Sequence, residues 1–220
     1  MNRLKIFFIL CLLLILCSCT SGMALRKGQD NINLSNKSLA LFTVKVANQY
    51  KPGYQPNKLL VFIEGANSGA YKVIMESPPH ISEKDSFNEY LLSFDLKPGI
   101  SKFYKIWFIY ADTFVVGRAN IPFDLEADIK QNSIQYLGHI DTIIREKKND
   151  NEKSAGPLLP LIDQATTGFS SATYDIVIED KFDDDMKKFF SEYPGLQKVK
   201  IDKTVFPKGT GIENKSPAKE

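Results

Sequence analysis

The sequence predicts a mainly β fold, a two-sheet antiparallel β-sandwich with one helix near the C-terminus. Three observations predict it. Between residues 38 and 202 the dominant hydrophobic period is two, which is typical of strands. Turn signals separate these runs, and strands and helices do not alternate as they do in parallel α/β sheets. Finally, 43% of the 220 residues are hydrophobic and 25% are charged, as in an ordinary globular protein.

Eight runs have the composition and alternation of strands. They cover residues 38–50, 58–65, 70–75, 89–96, 102–112, 113–123, 133–145 and 172–180. In the fourth run Tyr90 and every second residue to Leu96 are apolar, which predicts one core-facing side. In the seventh run the expected inward residues are Ile134, Tyr136, Ile140 and Ile144, and the expected outward residues are Gln135, His139, Asp141 and Arg145.

The fifth run is rich in aromatic and β-branched residues and is apolar on both faces except at Lys105. Such a strand is either covered on both sides or leaves one apolar patch at the surface of its sheet. We therefore expect a partner to meet this strand at Trp107, or to meet the apolar loop that contains Leu158, Leu159 and Leu161. Alternatively, the loop residues cap an open end of the sandwich.

The helix is predicted from residue 183 onward. Acidic residues occupy its first turn, where the helix dipole favours them. Four apolar residues follow at helical spacing: Met186, Phe189, Phe190 and Tyr193. The helix-breaking residues Pro194 and Gly195 then end the helix. A last strand is expected at residues 198–201.

The N-terminus is expected to lie outside the domain. Eleven uninterrupted apolar residues (6–16) follow a basic leader, and about 20 are needed to span a bilayer. This pattern is typical of a signal peptide. All three cysteines lie within the first nineteen residues, so a disulfide framework is not expected in the mature chain.

The segment Leu16-Cys17-Ser18-Cys19 resembles the lipobox of bacterial lipoproteins. This resemblance implies removal of residues 1–18 and covalent diacylglyceryl and N-acyl lipid on Cys19, with no other cofactor. Thr20 in place of Asp after the cysteine implies the outer membrane. Cleavage removes two of 28 basic residues and leaves 26 against 26 acidic ones, so no nucleic-acid partner is expected.

Residues 90–145 resemble lipoproteins with a transthyretin-like or carboxypeptidase-regulatory-like β-sandwich, an Ig-like arrangement. The resemblance rests on a strand, a Pro-Gly turn and a later Tyr-x-Gly strand at residues 136–138, with the usual tyrosine displaced to Tyr104. The expected domain covers residues 38–202. Residues 19–37 are expected to form a lipidated tether, and residues 203–220 a largely disordered extension.

Few residues suit catalysis. The two histidines, His80 and His139, lack the paired spacing of a zinc site, and each is expected to be structural or solvated. The acidic residues Asp183, Asp184 and Asp185 are candidates for a calcium site, although helix N-capping and the helix dipole explain them without a metal.

The sequence therefore favours a non-catalytic outer-membrane lipoprotein whose β-sandwich faces the periplasm. It would act as a binding or assembly module with an envelope protein as partner and the membrane as its anchor. Two alternatives remain open. One is an envelope hydrolase acting on glycans or peptides, and the other is a calcium-dependent adhesin-like module.

Overall fold

The computed structural model describes residues 23–35, 37–66, 71–76, 80–82, 86–157 and 165–207, with side chains in all of these ranges except 71–76 and 80–82. The predicted lipid site at Cys19 lies outside the described residues. So do the predicted contact residues Leu158, Leu159 and Leu161.

The protein is mainly β, with two sheets. The described strands are β1 (Ser38–Asn48), β2 (Lys58–Glu64), β3 (Tyr71–Glu76), β4 (His80–Ser82), β5 (Phe87–Leu96), β6 (Gly99–Ala111), β7 (Val116–Ile129), β8 (Ile134–Glu146), β9 (Ala172–Glu179) and β10 (Asp202–Lys203). A helix, α1 (Phe182–Glu192), follows β9, as the amphipathic pattern predicts, and a 3₁₀ helix (Pro194–Lys198) comes next.

The first sheet is mixed, so the expectation of purely antiparallel sheets is wrong for it. Its strand order is β10-β8-β1-β5-β4, with β9 beside β8. β1 pairs antiparallel with β5 but parallel with β8. Between β1 and β8 the chain forms β4 and β5 of the first sheet and all four strands of the second, and this long connection allows β8 to return parallel to β1. The second sheet has the order β3-β2-β6-β7, and all of its pairs are antiparallel.

Residues from both sheets form one hydrophobic core. The rings of Phe42 and Phe94 in the first sheet have centroids 5.1 Å apart, and Phe103 of the second sheet lies 5.7 Å from Phe42. Apolar side chains at every second position of β5 enter this core, as their alternation predicts.

A second hydrophobic cluster lies on the opposite face of the first sheet, where α1 packs. Phe189 and Met186 of α1 contact strand residues that include Leu41 and Tyr136. The amphipathic helix thus covers a sheet face that would otherwise expose apolar side chains.

The segment before β1 is not a free tether. Leu25 is 4% exposed and belongs to the second cluster. The Ala24 and Leu25 amides donate to the main-chain oxygen and hydroxyl of Ser93, at 2.9 and 3.0 Å. The Gly28 amide donates to the Glu192 carbonyl at the end of α1. The ordered domain therefore begins well before residue 38.

The C-terminal boundary also differs from the prediction. Most of the expected strand at 198–201 is irregular, because the 3₁₀ helix extends to Lys198, and the short strand β10 comes later. Phe206 is 3% exposed and its ring lies 5.1 Å from that of Phe103. The domain therefore extends at least to Phe206, beyond the expected boundary at 202.

The long connection between β8 and β9 joins the two sheets. The Asn120 amide of β7 donates to the Ala155 carbonyl, and the Ala155 amide donates to the Ala172 carbonyl at the start of β9. Ala155 and Phe169 are fully buried in the shared core. In the described part of the chain, no helix is long and apolar enough to cross a membrane.

Candidate functional site

A β-bulge in β8 determines which side chains meet beneath α1. Leu41 pairs with Tyr136 and Thr43 with His139, so β8 has one extra residue there. Gly138 has φ 124°, a conformation that side chains with a Cβ rarely adopt. The extra residue places Tyr136 and His139, three positions apart, on the same face of the sheet.

This bulge corrects the expected faces of β8. Tyr136 and Ile134 pack under the helix, whereas Ile140 and Ile144 point into the core shared by the two sheets. The alternation predicts His139 on the outward face, but the residue is only 2% exposed, so of its two expected roles, structural or solvated, it has the structural one.

Asp185 of α1 connects the helix to this strand. Its side chain is fully buried. The Tyr136 hydroxyl donates to Oδ2 at 2.6 Å, and His139 Nδ1 lies 3.0 Å from Oδ1. One carboxylate thus takes hydrogen bonds from two side chains of β8 and holds the start of α1 against the sheet.

Further charges surround this contact. Lys188 of α1 bonds both carboxylate oxygens of Glu89 on β5, at 2.6 and 2.7 Å. Asp141 Oδ2 accepts from Lys181 at 2.7 Å and lies 3.5 Å from His139 Nε2. Oppositely charged side chains are thus paired between α1 and the strands of the first sheet. We call Glu89, His139, Asp141, Asp185 and Lys188 the helix–sheet cluster.

The cluster favours a protonated His139. Burial alone lowers its pKa, but Asp141 and Asp185 outweigh burial and raise the pKa to about 9. For Asp141, burial raises the pKa, but His139 and Lys181 lower it well below its usual range. Burial and the bond to Asp185 raise the pKa of Tyr136, so it stays a donor.

Three residues of the cluster have the donor types of a metal site. Glu89, His139 and Asp185 each offer one ligand atom, and these atoms lie within 4.8 Å of one another. His80 stands opposite Glu89 in the β4–β5 register. However, the Lys188 ammonium already neutralises Glu89, and His139 bonds Asp185. The geometry fits an internal ion network at least as well as a cation site.

The residues predicted to bind calcium do not converge. Asp185 points into the protein, while Asp183 is exposed and Asp184 pairs with Lys187 at 2.8 Å. Calcium takes six to eight oxygen ligands at one point. The calcium site remains a prediction, with no shared point for these three side chains.

A groove of about 310 Å³ opens beside the cluster on the first sheet. It is lined by Lys45, Ala47, Gln49, Ser86, Phe87, Asp141, Thr142 and Ile143. Among the described residues, Asp141 is its one lining carboxylate. A glycosidase of the usual kind uses two carboxylates that flank the scissile bond, and the described lining offers one.

The outer face of the second sheet carries a different arrangement. Trp107 of β6 and Phe62 of β2 are partly buried, and their ring centroids lie 4.6 Å apart. The neighbouring residue Phe108, on the other face of β6, is fully buried. Of the two expectations for this strand, the structure has the second, a sheet with an apolar patch at its surface.

Two cations lie over these rings. The Arg118 guanidinium carbon is 4.0 Å from the Trp107 centroid, and Lys105 Nζ is 4.6 Å from that of Phe62 and 5.2 Å from that of Trp107. The Trp107 indole donates to Asn120 Oδ1 at 3.0 Å. We call Phe62, Lys105, Trp107, Arg118 and Asn120 the aromatic–cationic face.

The sequence predicts Trp107 as a contact residue but does not indicate its neighbours Phe62, Arg118 and Asn120. Phe62 lies on a regular alternating strand, and the pairings Leu60–Trp107 and Trp107–Asn120 depend on register between strands. The glycine inside β8 was a signal for the bulge that assembles the helix–sheet cluster.

Comparison with known proteins assigns no relative. No family model matches the chain, and no curated protein or solved structure is significantly similar to it. The class that the described residues define is a mainly β protein with two sheets and a helix on one of them.

Proposed function

We propose that this chain is a non-catalytic bacterial outer-membrane lipoprotein, anchored through lipid on Cys19. Its two sheets would form a β-sandwich facing the periplasm and serve as a binding or assembly module. The lipobox supports the anchor. The observation that carries the binding role is the aromatic–cationic face, on which a tryptophan and a phenylalanine lie partly exposed on the outer side of the second sheet.

The chemistry of this face suits a protein partner. Tryptophan and arginine are enriched among residues that dominate binding energy at interfaces. Here Trp107 is already held by Phe62, Arg118 and Asn120, so little side-chain freedom is lost on binding.

The charge of the face indicates what a partner would present. Within the described residues, no carboxylate oxygen lies within 4 Å of Lys105 Nζ, which instead faces the rings of Phe62 and Trp107. A partner segment with acidic and apolar side chains would complement both properties. Such complementarity acts mainly on specificity and association rate.

The two alternatives have less support. A hydrolase on glycans requires a second carboxylate in the groove, and Asp141 is the one carboxylate among its described lining residues. A calcium-dependent module requires Asp183, Asp184 and Asp185 to converge, and their side chains point to different surroundings.

The binding role is tested by site-specific cross-linking in intact cells. A photo-reactive amino acid replaces Trp107 in one variant and Val177 in the other. Val177 is 52% exposed on β9 of the first sheet and is the matched control. We expect a defined adduct at position 107 that disappears with Lys105→Glu and is absent at position 177. Equal adducts at both positions, or none at 107, contradict the proposal.

The anchor is tested separately. Cys19→Ala should abolish acylation and release the protein from the membrane fraction, whereas Cys17→Ala, which keeps the lipid-bearing cysteine, should leave both unchanged. Mass spectrometry of the mature N-terminus reads the lipid directly. An unmodified Cys19 in the wild-type protein would contradict the lipoprotein assignment.

A further inference from the structure

We infer that the lipid anchor holds one particular end of this domain against the bilayer. The inference rests on the proposed lipidation of Cys19. Lipidation determines the location of the protein, and the inference adds the orientation of the domain on the membrane. It follows from where the chain first becomes attached to the folded domain and from how little chain precedes that point.

The first attachment is close to Cys19. The Ala24 amide donates to the Ser93 carbonyl of β5, and Leu25 is buried beneath α1. Five peptide units separate Cys19 from Ala24, and they reach at most about 18 Å when fully extended. A free tether as long as residues 20–37 would reach about 65 Å.

The folded domain is longer than the segment that joins Cys19 to Ala24, which we call the leash. β6 alone has 13 residues, which correspond to about 43 Å of strand. A leash of about 18 Å therefore keeps the surface around Ser93 close to the lipid. A domain that stands upright on the bilayer then stands on the strand ends nearest to Ser93.

Register identifies that end. Ser93 lies three residues, or about 10 Å, before the last residue of β5. Leu96 pairs with Ser38, the first residue of β1, and Gly99 of β6 pairs with Ile129, the last residue of β7. These strand ends, together with the turns that follow them, form what we call the leash-proximal end.

The side chains of the leash-proximal end suit a lipid surface. Lys97 and Lys130 are exposed, and within the described residues no carboxylate lies within 4 Å of either ammonium. Ile100, the second residue of β6, is 50% exposed. Lysines beside an exposed apolar residue favour the headgroup region of an anionic bilayer. Carboxylates also lie here: Asp95 paired with Lys37, Asp202 paired with Lys200 and exposed Asp128.

The opposite end carries Phe114, which is 87% exposed in the turn between β6 and β7. An exposed phenylalanine would suit a membrane contact by itself. In the proposed orientation Phe114 is held away from the lipid, because the position lies about 40 Å from the leash-proximal end along the strands. The inference therefore opposes what exposure of apolar side chains alone would indicate.

The test uses the full lipidated protein in vesicles of phosphatidylethanolamine and phosphatidylglycerol. The mature chain is predicted to have no free thiol, so one introduced cysteine can be labelled selectively. Lys97→Cys and Phe114→Cys carry the same donor dye, and lipids labelled on the headgroup carry the acceptor. We expect several-fold higher energy transfer from position 97 than from position 114.

A lengthened leash is the matched control. Insertion of 20 Gly/Ser residues between Gly22 and Met23 adds a flexible segment with a mean span of about 25 Å. It should lower the transfer at position 97 and bring the two positions close together. Retention of the full difference would show that the surface itself, and not the leash, sets the orientation, and would overturn the inference.

Failure of the inference and failure of the proposed function give different results. Equal transfer from both positions, or more from 114, in a protein whose Cys19 carries lipid by mass spectrometry overturns the orientation and leaves the lipoprotein assignment intact. Absence of lipid on Cys19 overturns both.

Discussion

The helix–sheet cluster and the aromatic–cationic face lie on different sheets and treat charge in opposite ways. In the cluster, Lys188 bonds Glu89 and His139 bonds Asp185, so each charge has its partner inside the protein. On the face, Lys105 and Arg118 lie over aromatic rings at the surface. Charge that is neutralised internally stabilises a fold, whereas the Lys105 ammonium, over two aromatic rings of a half-exposed surface, is available to a partner.

The same comparison separates the residues on which stability should depend from those on which binding should depend. The cluster should govern the free energy of unfolding and its variation with pH. The face should govern association and contribute little to folding. The following four predictions test this division, beginning with the largest expected effect.

Asp185→Ala should cost about 3–5 kcal/mol in the free energy of unfolding. The substitution removes the acceptor of the Tyr136 hydroxyl and the carboxylate closest to the buried His139, and removal of one partner of a buried ion pair is expensive. Urea denaturation measures the effect. The neighbouring variant Asp184→Ala, which removes an exposed pair with Lys187, should unfold close to wild type. Equal losses for the two variants would refute a special role for the buried carboxylate.

Stability should fall by up to roughly 3 kcal/mol between pH 6.5 and 9. The folded pKa of His139 is raised to about 9, above the ordinary value of 6.5. A raised pKa contributes stability that is fully present below pH 6.5 and is lost as the pH rises through 9. Asp185 from α1, Glu89 from β5 and Asp141 on β8 face this ring.

The lowered pKa of Asp141 makes stability depend on pH in the opposite direction. Its contribution to the free energy of unfolding is present above about pH 4 and is lost on acidification. Stability should therefore be greatest between about pH 4 and 6.5. His139→Gln should flatten the alkaline limb of the profile, and an unchanged slope in that variant would assign the pH dependence to other groups.

Gly195→Ala should cost about 1–3 kcal/mol, because its Cβ would lie 2.8 Å from the Asp30 carbonyl carbon and 2.8 Å from the Gln29 oxygen. The strain should loosen the segment around Leu25, which faster amide hydrogen exchange at Ala24 and Leu25 would report. Gly53→Ala is the matched control, since nothing lies within 4 Å of its Cβ position. Unchanged exchange at Leu25 would contradict this attachment.

Trp107→Ala should cost about 1 kcal/mol, the range of an aromatic pair or cation–π contact at a partly exposed site. Its neighbour Phe108 points into the core, and Phe108→Ala should cost about 3–5 kcal/mol. With the photo-reactive amino acid placed instead at exposed Asn120 of the same face, the cross-linked adduct should be lost in Trp107→Ala although the protein remains folded. A large loss of stability in Trp107→Ala would make that residue part of the core and would weaken its assignment to binding.

How much the sequence reveals differs between these regions. Alternation in β5 predicts correctly that Tyr90, Leu92, Phe94 and Leu96 share one face, because regular strands preserve a period of two. The same logic fails in β8. One extra residue at Gly138 exchanges the faces on either side of it, and period-two counting takes no account of an insertion.

The prediction of a tether before β1 fails for another reason. Its average composition is polar, which favours a tether, yet Leu25 packs beneath α1 and Ile32 and Leu34 lie against the same cluster. A few apolar residues suffice when a complementary surface exists, and that surface is formed by residues about 70 to 170 positions later. Local composition carries no information about such a surface. Likewise, the contact between Asp185 and His139 spans 46 residues and depends on tertiary packing.

The central position of β1 has a consequence for the order of folding. Leu39 pairs in parallel with Ile134, 95 positions later, so the second edge of β1 stays open until more than half of the chain is available. Contacts this distant in sequence slow folding. An open strand edge also attracts other chains. The first strand to be synthesised is therefore among the last to gain both of its neighbours, and a truncated chain that ends before β8 should aggregate rather than form half of the protein.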